Sequence, residues 1–412
     1  MELSPGSAKA LLDDYKAILR GVSAEGSASR PRLAEASHLA RSSVSERVRE
    51  LVEMGLLVEA GKAGSIGGRP ATRIEFSPRA GLVLALELGS THARWRLTDF
   101  AGNHVAEDSY GIVMTDGAEQ VISAVDKGVR GALDQRGLNT ERLVSCAIGF
   151  PGPLNFATGR VMGPPNMAGW DEAPVPHLFA KWLPVPTVVD NDVNVMALGD
   201  YEVKWRSEGS HDLLFVKYGT GIGCGVIADG RVYRGADGTA GELGHTPVAG
   251  VDLPDLCTCG GRNCLQVVAS GKALVGRLKT QGYDVETAGD VARLVLQGDV
   301  VAMNMVREAG RALGAVMTGI VNFFNPEAII MGGSIGSVGS SLLAGMREAI
   351  YGQAAVFSTR RLRILPSHLG GDAGLTGATL LALDLGYEVL VRRGLGWAEP
   401  DSPASEGSRS KE

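Results

Sequence analysis

The sequence lacks long apolar runs and has few cysteines. No 18 consecutive residues of the 412 are apolar, so we expect no membrane-spanning helix. The first residues, MELSPGSAKALLDDYK, carry charges where a secretion signal needs an apolar stretch, which predicts a cytoplasmic protein. Five cysteines are present, an odd number, and three of them lie within eight residues. In a cytoplasmic protein this spacing favours metal binding over a disulfide framework.

The overall composition is that of a folded protein with more than one domain. Hydrophobic residues make up 44% of the chain and charged residues 21%, which excludes a wholly disordered chain. A length of 412 residues predicts two or three domains. The 57 glycines are about twice the usual share, which indicates many tight turns and close approaches of the backbone to ligands.

The net charge of −6 conceals a difference between the two parts of the chain. Residues 1–79 contain 12 Lys and Arg against 10 Asp and Glu, a balance of +2. The remainder contains 28 against 36, a balance of −8. Because only the local charge matters to a partner that contacts one domain, the N-terminal part remains compatible with DNA.

Three helices are predicted in the N-terminal part, at about residues 8–20, 30–37 and 44–54. The third has the clearest pattern, because Ser43 and Glu46 fit a capping box. An apolar face follows, formed by Val44, Val48, Leu51 and Val52.

Two short strands, Leu56–Glu59 and Thr72–Phe76, are predicted on either side of the Gly-rich segment Gly61–Pro70. Helix, turn, helix and hairpin in this order predict a winged helix-turn-helix that binds DNA in the major groove. An arginine in the hairpin loop suits the minor groove. The alternative is a small helical interaction domain with a solvated polar face. The predicted DNA contacts are Arg41, Ser42, Ser43, Ser45, Arg49 and Arg69.

An α/β body is predicted from residue 80 onward, where apolar runs typical of strands alternate with helical segments. The predicted domains are residues 1–79 and 80–395, followed by a disordered tail at 396–412. Glycine turns follow three of the strands, and together they favour a nucleotide-binding cleft. These turns are Glu87–Thr91, Tyr218–Val226 and Met331–Ser334.

Two further patterns carry chemistry. Asn191 and Asp192 end a predicted strand, where an amide beside a carboxylate can bind sugar hydroxyls or take a proton from one. The alternative is a capped helix start with Asp as the N-cap. Three cysteines and a histidine twelve residues earlier have the spacing of a structural zinc site; they are His245, Cys257, Cys259 and Cys264. Cys146 and Cys224 lie in apolar strands and are predicted core residues.

Several of these segments resemble the ROK family of repressors, open reading frames and sugar kinases. The resemblance covers residues 11–392 and is carried by GTGIGCGVIADGRVYRGADGTAGELGH, CTCGGRNCLQ, GFPGPLNFATGRVMGPPNMAGW, GDAGLTGATLLAL and the helix segment LARSSVSERVRELVEMGLLVEA. It implies a two-lobed, hexokinase- and actin-like (ribonuclease H-like) body with a sugar cleft, a zinc loop at 245–264 and a winged helix of the repressor branch.

The resemblance also implies roles for individual residues. The implied sugar-binding residues are Asn166, Asn191, Asp192, Glu242, His245 and Gln266, with Asp192 as the catalytic base if the protein is a kinase. The implied nucleotide-binding residues, vestigial in a repressor, are Glu87, Gly89, Thr91, Thr220, Gly221, Gly223, Gly332 and Gly333.

Three residues depart from the kinase pattern. Glu87 and Ser90 replace Asp and Gly in the phosphate turn, which counts against ATP and Mg²⁺ as cofactors. Gln266 replaces the Glu of the zinc loop and removes one charge.

The resulting hypothesis is a repressor of carbohydrate genes that responds to a sugar or sugar phosphate and binds an inverted-repeat DNA operator as a homodimer or a dimer of dimers. The alternative is an ATP-dependent sugar kinase that retains a DNA-binding domain. A third hypothesis, a regulator whose cleft binds a protein, has no residue that favours it. The helix Met303–Phe324 fits a dimer face or the core equally well.

Overall fold

The computed structural model describes residues 4–62, 72–162, 169–170, 174–336 and 340–398. The chain divides into two compact units. The first unit comprises residues 1–148, 168–189 and 378–412, and the second comprises residues 149–167 and 190–377.

The N-terminal elements form a winged helix. They are α1 (Pro5–Glu25), β1 (Ala28–Ser29), α2 (Arg30–Ser37), α3 (Arg41–Glu53), β2 (Leu57–Lys62) and β3 (Thr72–Phe76), with the strands in the order β1-β3-β2. The three helices and the strands β2 and β3 confirm the prediction, whereas β1 was not predicted. Residues 63–71, which include Arg69, lie outside the described residues.

Helix α3 begins earlier than its sequence pattern predicts. Its N-cap is Ala40, with no side-chain cap, so the predicted capping box of Ser43 and Glu46 is wrong. Ser43 lies inside the helix, two residues after its start at Arg41, and so cannot cap it. The predicted apolar face is confirmed for Val44, Val48 and Leu51, which are completely buried.

The first unit continues into a mixed α/β layer. Its elements are β4 (Leu82–Leu88), β5 (His92–Asp99), β6 (His104–Gly111), α4 (Ala118–Asp134), β7 (Leu143–Phe150), α5 (Val175–Ala180) and β10 (Thr187–Asn191). The sheet order is β10-β7-β4-β5-β6. A small hairpin of β8 (Leu154–Asn155) and β9 (Arg160–Val161), which follows β7 in the chain, belongs to the second unit.

The second unit contains a sheet of the order β13-β12-β11-β14-β15. Its elements are α6 (Asp192–Asp200), β11 (Leu213–Tyr218), β12 (Ile222–Ala228), β13 (Arg231–Tyr233), α7 (Leu265–Ala269), α8 (Gly271–Thr280), α9 (Ala288–Leu296), α10 (Val300–Phe324), β14 (Ala328–Gly332), α11 (Gly333–Gly336), α12 (Ser340–Gln353), α13 (Val356–Thr359) and β15 (Arg363–Pro366), followed by α14 (Ala373–Gly394).

Both sheets have the same order when their strands are counted along the chain, third-second-first-fourth-fifth. Strand β11 is antiparallel to β12 and parallel to β14, so this sheet is mixed, as predicted. A repeated sheet of this order is the ribonuclease H-like arrangement that the resemblance implied.

The strands that the sequence predicts from apolar runs are present as β4, β7, β10, β11 and β14. One prediction needs correction. The segment Tyr218–Val226 is not one turn, because Ile222–Ala228 is strand β12 and the turn is limited to Gly219–Gly221. Glycines 223 and 225 lie in this strand because α6 packs directly on it; a methyl group at Gly225 would lie 2.7 Å from the side chain of Ala197.

Helix α14 is a core helix. Residues Gly370–Gly394 are long and apolar enough to span a membrane by length and composition, but 61% of the most apolar window is buried inside the protein. Tyr387 of α14 stacks on Phe76 of the winged helix, with 6.0 Å between ring centroids. The hydrophobic core therefore runs from the winged helix to α14, and the predicted domain boundary at residue 79 remains a prediction.

Helix α10 is both a core helix and partly exposed. Met305, Leu313 and Met317 are buried in the core of the second unit. At its C-terminal end the side chain of Phe323 is 93% exposed. The helix therefore packs in the core along most of its length, and its exposed C-terminal end remains a candidate contact for a second subunit.

Candidate functional site

The predicted metal ligands come together in the second unit. The Nδ1 atom of His245 lies 3.3 Å from Sγ of Cys257, and the sulfurs of Cys259 and Cys264 are 3.7 Å apart. One ligand atom from each of the four residues lies within 4.8 Å of all the others. Zinc bound to four such ligands separates sulfur atoms by about 3.8 Å, given Zn–S bonds of about 2.3 Å.

The loop that carries the cysteines is shaped for a metal ion. A methyl group at Gly261 would lie 3.0 Å from Sγ of Cys264 and 3.3 Å from Sγ of Cys259, so only glycine leaves the sulfurs room. The N–H of Gly261 hydrogen-bonds to Sγ of Cys259 and lowers the pKa of this thiol. The residues therefore fit a metal that prefers thiolate and imidazole. Cys146 and Cys224 are buried in β7 and β12, as predicted.

Asn191 and Asp192 stand at the start of α6. Asn191 is the N-cap, since its side chain accepts a hydrogen bond of 2.9 Å from the N–H of Val193 and donates one to the carbonyl of Gly152. Asp192 is the first residue of the helix and is 4% exposed. The helix start is therefore capped, but by Asn191 and not by an aspartate as the alternative predicted, while Asp192 presents a buried carboxylate.

Asp192 forms an ion pair that sequence reasoning missed. The ammonium group of Lys217, on β11, donates a hydrogen bond to Oδ2 of Asp192. No sequence pattern indicates this pair, because Lys217 lies in an apolar strand 25 residues away.

A second missed contact surrounds Asp190. Arg234 donates two hydrogen bonds to Oδ2 of Asp190, at 2.9 and 2.7 Å, and its guanidinium group lies 3.8 Å from the ring centroid of Phe156. The buried Asp190 also accepts a hydrogen bond from Asn194. These contacts fix the loop that leads from β13 to Glu242.

Glu242 and His245 connect the polar site to the metal site. Nε2 of His245 lies 3.7 Å from a carboxylate oxygen of Glu242, while Nδ1 faces Cys257. The pKa of Glu242 is raised chiefly by burial; His245 lowers it, and the charge of Asp192 raises it. One ring nitrogen of His245 thus faces the cysteines and the other faces the acidic group, as expected if a metal fixes the ring orientation.

Gln266 follows the last cysteine and reaches the glycine turn between β11 and β12. Its Oε1 atom accepts a hydrogen bond of 2.9 Å from the N–H of Ile222. A methyl group at Gly221 would lie 3.1 Å from its Nε2 atom, and one at Gly244 would lie 3.2 Å from Oε1. The amide therefore links the metal loop to the turn.

The predicted nucleotide-binding glycines of the second unit lie on either side of β11. Thr220 and Gly221 form the turn after β11, Gly223 lies in β12, Gly332 ends β14 and Gly333 begins α11. A methyl group at Gly333 would lie 2.6 Å from the carbonyl oxygen of Tyr218, so the backbones pack closely here. These residues are brought together, although such packing alone also explains the glycines.

The predicted phosphate turn of the first unit is occupied by its own side chains. Glu87 is 5% exposed, and its carboxylate forms an ion pair of 3.3 Å with Arg94. The imidazole of His92 covers Gly89, where a methyl group would lie 2.6 Å from Nδ1. Thr91 is exposed. Sequence reasoning identified Glu87 but missed Arg94.

The predicted DNA contacts on α3 lie at the protein surface. Arg41, Ser42, Ser45 and Arg49 are exposed and Ser43 is half-buried. Arg47 is excluded from this surface, because its guanidinium group bonds Glu50 at 2.5 Å and covers the ring of Tyr15. Asn166 of the predicted sugar site lies outside the described residues, as does Arg69.

The chain thus contains a winged helix, whose helix α3 exposes Arg41 and Arg49, and a body of two sheets with a ribonuclease H-like order. The chain belongs to the ROK family, whose model matches residues 83–385. A model of winged helix-turn-helix DNA-binding domains matches residues 16–58.

Curated relatives match along most of the chain. The xylose repressor of Bacillus subtilis strain 168 is 28% identical over 371 residues, which cover 90% of this chain and 95% of the relative. The DNA-binding transcriptional dual regulator NagC of Escherichia coli K12 is 28% identical and covers 86% of this chain and 88% of its own length.

Two solved structures share the fold. A ROK family transcriptional regulator described as a homologue of the Escherichia coli MLC protein has a TM-score of 0.77 at 24% identity, covering 94% of this chain and 99% of its own. A ROK family glucokinase of Streptomyces griseus, in complex with glucose and AMPPNP, has a TM-score of 0.62 at 28% identity and covers 73% of this chain and 99% of its own.

Proposed function

We propose that this protein is a sugar-responsive transcriptional repressor that acts in the cytoplasm. The observation that carries the proposal is the exposed polar face of α3, with Arg41 and Arg49, on a chain whose second unit contains Asn191, Asp192, Glu242, His245 and Gln266. The xylose repressor and NagC support it, since their similarity extends over both parts. Carbohydrate-utilisation genes are the natural targets, and the sugar releases the DNA.

A zinc ion holds the sugar site in shape in this proposal. His245, Cys257, Cys259 and Cys264 bind it, and it supplies a fixed charge that orients the imidazole of His245. Asn191, Asp192 and Glu242 then donate and accept hydrogen bonds with the sugar hydroxyls. Asn166 and Gln266 complete the proposed sugar contacts.

A homodimer on an inverted repeat is the DNA-bound form in this proposal. Phe323 is 93% exposed, and Val356 and Phe357 are 83% and 84% exposed on α13, which contacts α10. Light scattering should give twice the mass of one chain, and a single-chain mass at the concentrations used for DNA binding would rule the dimer out.

The proposed binding of a sugar is tested by titration calorimetry with D-xylose, D-glucose and N-acetylglucosamine. For the sugar that binds most tightly, we expect Asp192→Asn to weaken binding about 10- to 100-fold, because a hydrogen bond to a charged group contributes about 1.5–3 kcal/mol. The exposed Asp284 provides a control, and Asp284→Asn should bind like the wild type. Equal affinity of Asp192→Asn and wild type would remove Asp192 from the site.

Helix α14 is the proposed route from sugar to DNA, because its residues belong to both units. At Gly377 a methyl group would lie 3.0 Å from the side chain of Val195 on α6, the helix that begins with Asp192. Further along α14, Asp384 accepts a hydrogen bond of 2.7 Å from Lys16 of the winged helix. A shift of α6 on sugar binding would thus move a helix to which the winged helix is bound.

Reversal of the charge at Asp384 should uncouple the two activities. We expect Asp384→Lys to keep sugar affinity and to reduce the sugar-induced loss of DNA affinity about 10-fold, since allosteric coupling is about 1–3 kcal/mol. Fluorescence anisotropy of labelled DNA with and without sugar measures this. Glu308→Gln, which removes a surface ion pair with Arg277, is the control. Full sugar response in Asp384→Lys would exclude this route.

The alternative, a sugar kinase, is favoured by Asp192 and by the glucokinase fold. The ion pairs of Glu87 with Arg94 and of Asp192 with Lys217 count against it, because both carboxylates are engaged by cations. Sugar-dependent formation of ADP from ATP that is lost in Asp192→Asn would support the kinase.

A further inference from the structure

The placement of Lys217 is the strongest feature that the proposed function leaves unexplained. Lys217 is on β11 two residues beyond Phe215, so both side chains point to the face of the sheet on which α6 packs. Its cross-strand neighbours are Gly223 on β12 and Gly332 on β14. With no side chain on either neighbour, this face has room for the long side chain of a lysine.

The same glycines bring α6 to the lysine. A methyl group at Gly223 would lie 2.8 Å from Cγ2 of Val193, so the first turn of α6 rests directly on β12. Asp192 precedes Val193, and its carboxylate accepts the hydrogen bond from Lys217. The sheet and the helix therefore fix the pair together, and its geometry does not depend on a mobile loop.

The burial of the pair makes each charge depend on the other. The side chain of Asp192 is 6% exposed and that of Lys217 is 24% exposed. A buried charge that loses its partner is strongly destabilised, whereas the loss of both partners costs much less. The ammonium of Lys217 takes up one acceptor position of the Asp192 carboxylate, and the carboxylate keeps further lone pairs that can accept a hydrogen bond from a sugar hydroxyl.

The balance of charge around the site favours an uncharged occupant. Asp190 is paired with Arg234 and Asp192 with Lys217, so both cations already serve carboxylates. Glu242 adds a carboxyl group near Asp192. A phosphate would bring further negative charge beside these acids and would have to displace one of them from its cation.

We propose that Lys217 is a positioning residue that holds Asp192 as a fixed hydrogen-bond acceptor, so that the site binds an uncharged, unphosphorylated sugar and releases it unchanged. This inference rests on the proposed function. It deepens that function by naming the class of effector. It also identifies Lys217 as the residue that makes the site bind the sugar without reacting with it.

A double-mutant cycle tests the inference. Sugar affinity is measured by calorimetry for wild type, Lys217→Met, Asp192→Asn and the double variant, with the tightest binder among D-xylose, D-glucose and N-acetylglucosamine. We expect each single variant to bind about 10-fold more weakly or worse, and the double variant to bind no more weakly than the weaker single variant. Lys217→Arg should stay within about threefold of wild type, because it keeps the charge at this position.

Two controls separate positioning from general damage. Lys279→Met removes a surface ion pair with Glu286 and should bind sugar like the wild type. Thermal unfolding and metal content of each variant check the fold. If Lys217→Met does not fold, Lys217→Arg and the double variant still give the comparison, because both avoid an unpaired buried charge.

Several outcomes would overturn the inference. Additive losses in the cycle would mean that Lys217 acts independently of Asp192. Tighter binding of glucose 6-phosphate than of any uncharged sugar would contradict the effector class, and sugar-dependent ADP formation by the wild type would contradict release of the sugar unchanged. If the wild type binds none of the sugars, the proposed function itself is wrong in its claim that the protein responds to a sugar.

Discussion

Removal of the metal is expected to weaken sugar binding strongly and to leave DNA binding largely intact. His245 faces Cys257 through Nδ1 and Glu242 through Nε2, so the cysteine loop sets the position of a residue at the proposed sugar site. Without the ion, the imidazole ring loses its proposed anchor. Helix α3, the proposed DNA-binding helix, belongs to the first unit, whereas the four proposed metal ligands belong to the second.

The change that tests this is Cys264→Ser, compared with protein treated with a strong chelator. We expect about one zinc ion per chain in the wild type and much less in the variant. Sugar affinity should fall about 100-fold, in line with the loss of groups that orient metal ligands. Burial raises the pKa of the Cys264 thiol to about 12, so metal binding should also release protons.

Cys146→Ala is the matched control, since Cys146 is a buried cysteine in β7 and lies outside the cluster. It should keep both zinc and sugar. If metal-free Cys264→Ser binds sugar as tightly as the wild type, the zinc loop has no part in the sugar site. Recovery of sugar affinity when zinc is returned to chelated wild type would support this role of the metal.

The second large effect is expected from the exposed face of α3. We predict that Arg41→Ala combined with Arg49→Ala weakens DNA binding about 100-fold or more, because a specific contact to a base contributes about 1–3 kcal/mol. The slope of affinity against salt should also decrease for each phosphate that the variant no longer neutralises. Sugar binding should not change, because neither arginine belongs to the second unit.

Two arginines serve as comparisons for this prediction. Arg293→Ala removes an exposed arginine of α9 that pairs with Asp290 and should not affect DNA binding. Arg47→Ala should lower the melting temperature, since the Arg47 side chain is 18% exposed and bonds Glu50. If Arg41 and Arg49 can be replaced together without loss of DNA affinity, α3 is not the helix that enters the groove.

The sequence predicts those parts of the fold that have their own apolar pattern. Strands β4, β7 and β11 are buried and consist of continuous apolar runs, so they were found. Strand β6 was missed because most of its residues are exposed, and β12 was interpreted as a turn because of its glycines. Those glycines reflect the packing of α6, which no local pattern contains.

Residue patterns also predicted much of the site, but not its ion pairs. The cysteine spacing predicted the cluster of His245 and three cysteines that the structure brings together, and the acidic strand end pointed to the buried carboxylate of Asp192. The ion pairs of Lys217 and Arg94 could not be found this way, because they depend on the register of the strands and on where helix α6 packs on the sheet. The predicted cap at Ser43 was wrong because the helix begins two residues earlier, at Arg41, with no side-chain cap.

The most direct test of a sugar-responsive repressor is capture of genomic DNA fragments on the immobilised, zinc-loaded full chain, followed by elution with D-xylose, D-glucose and N-acetylglucosamine in turn. We expect that fragments sharing an inverted repeat are retained and that one uncharged sugar releases them. The Asp192→Asn variant should retain the same fragments and resist elution. Retention of no specific fragment by folded protein, or retention that no sugar changes, would contradict a sugar-responsive repressor.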